Sequence, residues 1–204
     1  KKRKYLIKNE VKGICDPESV FVSFISNKTY ISLWNSIFSL KTIKDNNIRF
    51  LDIFNGEDIE FISKYLMKCK IVNSIQVPIY NYYYNTERNK ERDNKDRIKK
   101  ISDSIYWLLL EKLHENKWER GYLALRYGKL PVIAICELLK YAKNHFNYED
   151  FILNFYIDCV SFFDICKTMN STYIKSKIYI KSKIVFIVAK KYPRLFFLIA
   201  KKLY

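Results

Sequence analysis

Glycine and proline each occur only four times in 204 residues, and this scarcity limits what the chain can fold into. An all-β chain needs a turn signal roughly every 8–12 residues. The fold must therefore be mostly helical. The same scarcity leaves no GxGxxG or GxxxxGK[ST] run, so no glycine loop cradles phosphates. With 49% hydrophobic and 17% aromatic residues the chain can bury a core, which excludes wholesale disorder. Its length suits one large domain or two small ones.

Lysine and arginine outnumber aspartate and glutamate 37 to 21, a net charge of +16. The five cysteines (15, 69, 136, 159 and 166) form no CxxC pair, and the only histidines, His114 and His145, stand far from any paired thiols. Metal ligation by Cys and His is not expected. Scattered cysteines with apolar neighbours fit reduced core residues in a cytosolic protein. The opening Lys1-Lys2-Arg3-Lys4 lacks a signal-peptide pattern and reads as the interior of a longer polypeptide. The apolar runs Ile184 to Ala189 and Leu195 to Ala200 fall far short of the roughly 20 residues a bilayer span needs.

The polar run NTERNKERDNKDRIKK, residues 85–100, divides the sequence. The reading is an α/β part over 1–85, a polar linker over 86–100 and a helical region over 101–204, predominantly α by residue count. In the first part, Asp16 and Pro17 mark a helix start, with a helix to about 27. Helices are expected over 32–44 and 57–69, with β-prone segments at 48–53, 71–76 and 77–84. Beyond residue 100 the periodicity predicts helices at about 101–116, 119–127, 130–145, 148–165 and 173–203, the last interrupted by Pro193. The stretch FIVAKK at 186–191 returns as FLIAKK at 197–202, an eleven-residue spacing that keeps both copies on nearly one helical face.

The most informative carboxylates follow Asn55-Gly56. On the helix starting there, Ile62, Tyr65, Leu66 and Cys69 form the apolar stripe, and Asp58 stands four residues before Ile62. Asp58 thus extends the inward stripe, while Glu60, four before Lys64, is expected to pair with it on the solvent side. A first-turn carboxylate is stabilised in its ionised form by the helix dipole, and an ionised Asp at a cleft wall can act as a base. An acidic first turn also arises simply because it stabilises a helix.

An ordered set of motifs adds to this. Trp34-Asn35-Ser36-Ile37-Phe38, Asn47-Ile48-Arg49-Phe50, Gly56-Glu57-Asp58 with Phe61, Ile71 to Ile75, and Pro78-Ile79-Tyr80-Asn81-Tyr82 together resemble, in order and spacing, the acceptor-side half of bacterial family 2 glycosyltransferases. The resemblance covers roughly residues 17–88. It implies a GT-A type α/β fold, a nucleotide-sugar donor, a glycan or lipid-linked acceptor in surface polysaccharide or lipooligosaccharide synthesis, and an inverting mechanism. It implies Asp58 as the general base with Glu57 as its supporting carboxylate, Trp34 and Asn35 at the acceptor, and Tyr84 and Arg88 at the diphosphate. It also implies a divalent metal, Mg or Mn, held by a D-x-D motif. This chain has no D-x-D and so supplies no metal ligand of its own; the fragment alone is expected to be inactive. Two departures stand out: Ser36 replaces the usual Lys, and Thr86 and Arg88 stand where a Ser often follows the last strand.

From Ile165 to Tyr204 there is no acidic residue, while ten lysines and arginines are interleaved with aromatic residues. Three readings suit this end: a helical segment in peripheral contact with an anionic membrane through 173–204, a core element with a solvated basic face, or a nucleic-acid surface. The apolar blocks FIVA and LFFLIA speak against nucleic acid. A membrane contact would place the protein at the inner face of the cytoplasmic membrane. The alternative to a transferase is a non-catalytic helical module that binds anionic membrane or nucleic acid.

Overall fold

The computed structural model describes residues 9–52, 56–77, 105–106, 108–144 and 147–202. The fold is predominantly helical, with one small two-stranded antiparallel sheet among the described residues. The chain forms two compact units, Lys1–Tyr122 and Leu123–Tyr204. The polar run 85–100 lies outside the described residues, and the helical residues 105–106 and 108–115 group with the first unit.

In the first unit, strand β1 (Gly13–Cys15) precedes helix α1 (Pro17–Ile25). Asp16 caps α1 as its sequence requires: its backbone is extended and its carboxylate accepts from the Ser19 amide at 2.9 Å, satisfying an otherwise orphaned N–H. Asn27, in the left-handed region at φ 56°, ends the turn that follows. On the inward side of α1, Val20, Phe21 and Ile25 are buried.

The helix expected over 32–44 is broken in two. Leu33–Asn35 forms a single 3₁₀ turn, and helix α2 starts only at Leu40 and runs to Asp45. The cause is local side-chain competition for the backbone. The Asn35 Oδ1 accepts from the Ser32 amide at 2.8 Å and from the Ser36 hydroxyl at 3.1 Å, while its Nδ2 donates to the Tyr30 carbonyl at 3.2 Å. Ser39 then caps α2, accepting from Thr42 N at 3.2 Å.

Helix α3 (Glu57–Lys68) matches the expected 57–69 element, and its stripe is the expected one, with Ile62, Tyr65 and Leu66 buried and Cys69 partly so. Phe61 joins them. Strand β2 (Val72–Ser74) follows and pairs antiparallel with β1, Gly13 opposite Ser74 and Cys15 opposite Val72. The β-prone 48–53 segment contributes no strand at residues 48–52, and Ile48 is buried instead. The third expected strand, over 77–84, falls outside the described residues apart from Val77, which is not in a strand. Helix α4 (108–115) and helix α5 (Glu119–Ala124) complete this part. Arg120 ties α5 to α1: its guanidinium donates to Asp16 at 2.8 Å, to Glu18 at 3.1 Å and to the Ser19 hydroxyl at 3.1 Å.

The second unit is helical throughout its described length: α6 (Leu130–Asn144), α7 (Tyr148–Asp158), α8 (Val160–Lys167), α9 (Ser176–Lys191) and α10 (Pro193–Lys202). Where the pattern suggested separate helices ending at 127 and starting at 130, Leu125–Lys129 instead forms a π-helical turn leading into α6. Pro131 explains the irregularity, since it has no N–H to return to the carbonyl four residues back. That carbonyl, on Tyr127, accepts from Asn170 N at 3.0 Å instead. The expected 148–165 helix is interrupted at Cys159, and the final break falls at Tyr192, just before Pro193. The core is aromatic: Phe151 and Phe155, rings 4.4 Å apart, meet Phe163, Phe196 and Phe197, with Phe186 against Phe163.

Candidate functional site

Helix α3 begins at Gly56, whose φ of +88° is left-handed, a conformation that glycine adopts without strain. A Cβ there would also meet the Ile105 Cδ1 at 2.5 Å. Behind this turn Glu57, Asp58 and Glu60 crowd the first helical turn. The positive end of the helix favours such a cluster, yet the three carboxylates have different surroundings.

Glu60 is the innermost, and here the sequence reading is corrected. Its side chain is 1% exposed, not on the solvent side; the pairing with Lys64 is as expected, at 3.0 Å. Four residues of helix place Glu60 and Lys64 on one face, and the Lys64 ammonium also donates to the Arg49 carbonyl. Neither Glu60 oxygen has a hydrogen bond of good geometry among the described residues, so the pair is held by charge.

Asp58 is half-buried rather than the most inward of the three. Burial raises its carboxyl above the ordinary value, and the Glu57 carboxylate beside it adds to the rise. Desolvation and the neighbouring like charge both favour the protonated form. One Glu57 oxygen is buried with no hydrogen-bond partner among the described residues. The pair therefore consists of a carboxylate with raised proton affinity, still in contact with solvent, and a neighbouring acid that sustains the rise.

Compared with family models, curated proteins and solved structures, the chain matches none of them.

The motif pieces from 33 to 69 nevertheless pack together. Ile48, Phe61 and Tyr65 form a buried cluster against Leu33, Phe38, Ile43 and Cys69. Phe38 stands edge-on to Tyr65 at 4.8 Å, Phe50 stacks on Phe61 at 4.3 Å, and the Tyr65 hydroxyl accepts from Ser39 N at 2.6 Å. Trp34 is 42% exposed on this segment, an indole with a face open to solvent. Asn35 is a different matter. Both ends of its amide are engaged in shaping the 3₁₀ turn, the carboxamide oxygen accepting twice and the Nδ2 donating to the Tyr30 carbonyl. Tyr84 and Arg88 lie outside the described residues.

The metal implied by the resemblance finds no ligand set here. Among the described residues no group of three or more His, Cys, Asp or Glu side chains is placed to hold an ion, and the Glu60 carboxylate beside the pair is committed to Lys64. The Glu60–Lys64 pairing was legible as a spacing, but not the depth at which it lies. Of the cysteines, Cys159 and Cys166 are core residues; Cys15 and Cys69 are half-buried and Cys136 is exposed, and none of the five forms a disulfide. Burial pushes the Cys166 thiol up to about 12, an inert group at neutral pH. Among the described residues no helix is long and apolar enough to cross a membrane.

Proposed function

We propose that the first unit is the acceptor side of an inverting glycosyltransferase of the family 2 type, with Asp58 as general base. The acceptor hydroxyl oxygen attacks the anomeric carbon of a nucleotide sugar. Its proton passes to the Asp58 carboxylate as the bond from the anomeric carbon to the diphosphate oxygen breaks, and the nucleoside diphosphate leaves. A base works best when its proton affinity approaches the operating pH, and burial together with Glu57 moves Asp58 in that direction. This raised, solvent-reachable carboxylate at the start of α3 is the observation that carries the reading. The order of motifs along 34–75 and their packing around Phe61 and Tyr65 support it.

In this reading Glu57 is a positioning and electrostatic residue, and the exposed Trp34 ring offers a stacking face to an acceptor sugar. The donor's nucleotide and its metal belong to a half that this chain does not supply, in keeping with the missing D-x-D. The polypeptide or complex that unites the two halves is then the enzyme, and its acceptor a glycan or lipid-linked saccharide. In that complete protein Asp58→Asn should reduce sugar transfer by about 10²–10⁴-fold, the usual contribution of a general base, with the circular dichroism spectrum unchanged. Turnover at the wild-type rate would remove Asp58 from the chemistry and the enzyme reading with it.

A further inference from the structure

The basic, aromatic-rich C-terminal segment suggested an aromatic membrane face. The fold directs most of those rings elsewhere: Phe186, Phe196 and Phe197 are core residues and Tyr179 packs against the same core, while Tyr192, just beyond α9, is 59% exposed. On α9 it is the isoleucines that face out. Ile180, Ile184 and Ile187, spaced i, i+4, i+7 on one side of the helix, are 55%, 56% and 41% exposed. Ser182, Phe186 and Ala189 on the opposite side are buried. Lys177 and Lys181 flank the stripe on one side, Lys183 and Lys190 on the other, and Lys191 stands at its end. No acidic residue occurs anywhere between Ile165 and Tyr204.

We propose that this outward face of α9 docks on an anionic lipid surface, with Ile180, Ile184 and Ile187 entering the acyl boundary and the flanking lysines meeting the headgroups. An aliphatic stripe bordered by lysines is the arrangement that seats a helix in a bilayer interface, its apolar side sunk roughly 5–10 Å. Charge decides the occupant. A second copy would set one lysine-bordered face against another and repel it. Nucleic acid binds through phosphates and stacked rings, but the rings of this helix are turned inward and its outward centre is aliphatic. The proposal rests on the second unit alone and stands or falls separately from the role of Asp58.

The experiment is co-sedimentation of the full chain with vesicles of phosphatidylcholine, with and without phosphatidylglycerol. Binding should require the anionic lipid and weaken with salt, and each of Lys177→Ala and Lys181→Ala should cost about fivefold at low ionic strength. Ile180→Ser/Ile184→Ser/Ile187→Ser should lose at least about tenfold in affinity with unchanged circular dichroism. Leu153→Ser, at a residue of α7 that is 75% exposed, should bind as wild type. If the triple change disturbs folding, Ile184→Asp alone carries the test and should abolish binding. The proposal is overturned if the isoleucine variants bind as wild type, or if anionic vesicles are not bound. It is equally overturned if the stripe instead drives self-association in sedimentation velocity, or if a single-stranded oligonucleotide binds more tightly than the vesicles.

Discussion

The two units are held together by different interactions. In the first, carboxylates are tied by cations: the buried Glu60 to Lys64, and the half-buried Glu18 and exposed Asp16 to Arg120. In the second, the core is a continuous set of phenylalanines with small residues between them, such as Ala189 and Ala200. A side chain with a charge buried for packing alone would be an unfavourable choice. The Glu60–Lys64 pair is the most deeply buried of these in the first unit. The second unit also ties a buried acid, Glu137, to Lys140 at 2.8 Å, although its core cluster is apolar and aromatic.

The comparison is broken most sharply by cavity formation in the aromatic core. Phe155→Ala, at a fully buried ring packed against Tyr141, Phe151, Phe163 and Phe196, should cost about 4 kcal/mol, read as loss of helix by circular dichroism in urea. A cost under about 1 kcal/mol would mean that this core is not the close-packed one described. Next is Lys64→Met, which leaves the Glu60 carboxylate buried and unpaired and should cost about 3 kcal/mol. All three tryptophans, at 34, 107 and 118, belong to the first unit, so tryptophan fluorescence reports this loss. Glu60→Met/Lys64→Met should recover most of it, because an apolar pair of similar volume leaves no charge unpaired.

Arg120→Ala should have a smaller effect, about 1 kcal/mol, since the guanidinium is largely exposed. Its pH dependence has a definite sign. Burial of Asp16 opposes ionisation, but hydrogen bonds from Ser19 and Arg120 prevail and hold its carboxyl below the ordinary value. The stabilisation is therefore present above the unfolded-state value and is lost as pH falls through the depressed folded value. The destabilisation caused by Arg120→Ala should disappear over that acid range. Asp58 has the reverse sign. Its carboxyl is raised, so its ionisation removes stability as pH rises from the unfolded value through the folded one. Asp58→Asn should accordingly be slightly more stable than wild type at neutral pH and show no gain at acid pH, the smallest of these effects and one measured by thermal unfolding.

Much of the helical plan was legible because it depends on local signals. Asp16 and Pro17 announce α1, the Ile62-Tyr65-Leu66 spacing announces α3, and Pro193 marks the final break. What could not be read came from distant partners. Strand β1 is three residues with a glycine and no alternation, and it is a strand only because β2 lies beside it. The π turn before α6 depends on Pro131 together with an amide from Asn170, thirty-nine residues away in sequence. At the candidate site, the adjacency of Glu57 and Asp58 was legible from spacing, but which carboxylate is innermost depends on tertiary packing that helical spacing does not encode. In the second unit the amphipathic pattern was visible, yet both isoleucine and phenylalanine are apolar, and only packing reveals which set turns outward.

The most direct test of Asp58 as the proton acceptor is the pH profile of kcat/KM for sugar transfer by the complete enzyme, with and without Glu57→Gln. The rate should fall on the acid side as the Asp58 carboxylate becomes protonated. Removing the Glu57 charge should lower its proton affinity, so that this acid limb moves to lower pH while burial keeps it above the ordinary carboxylate range. An acid limb that stays in place in Glu57→Gln would contradict the account.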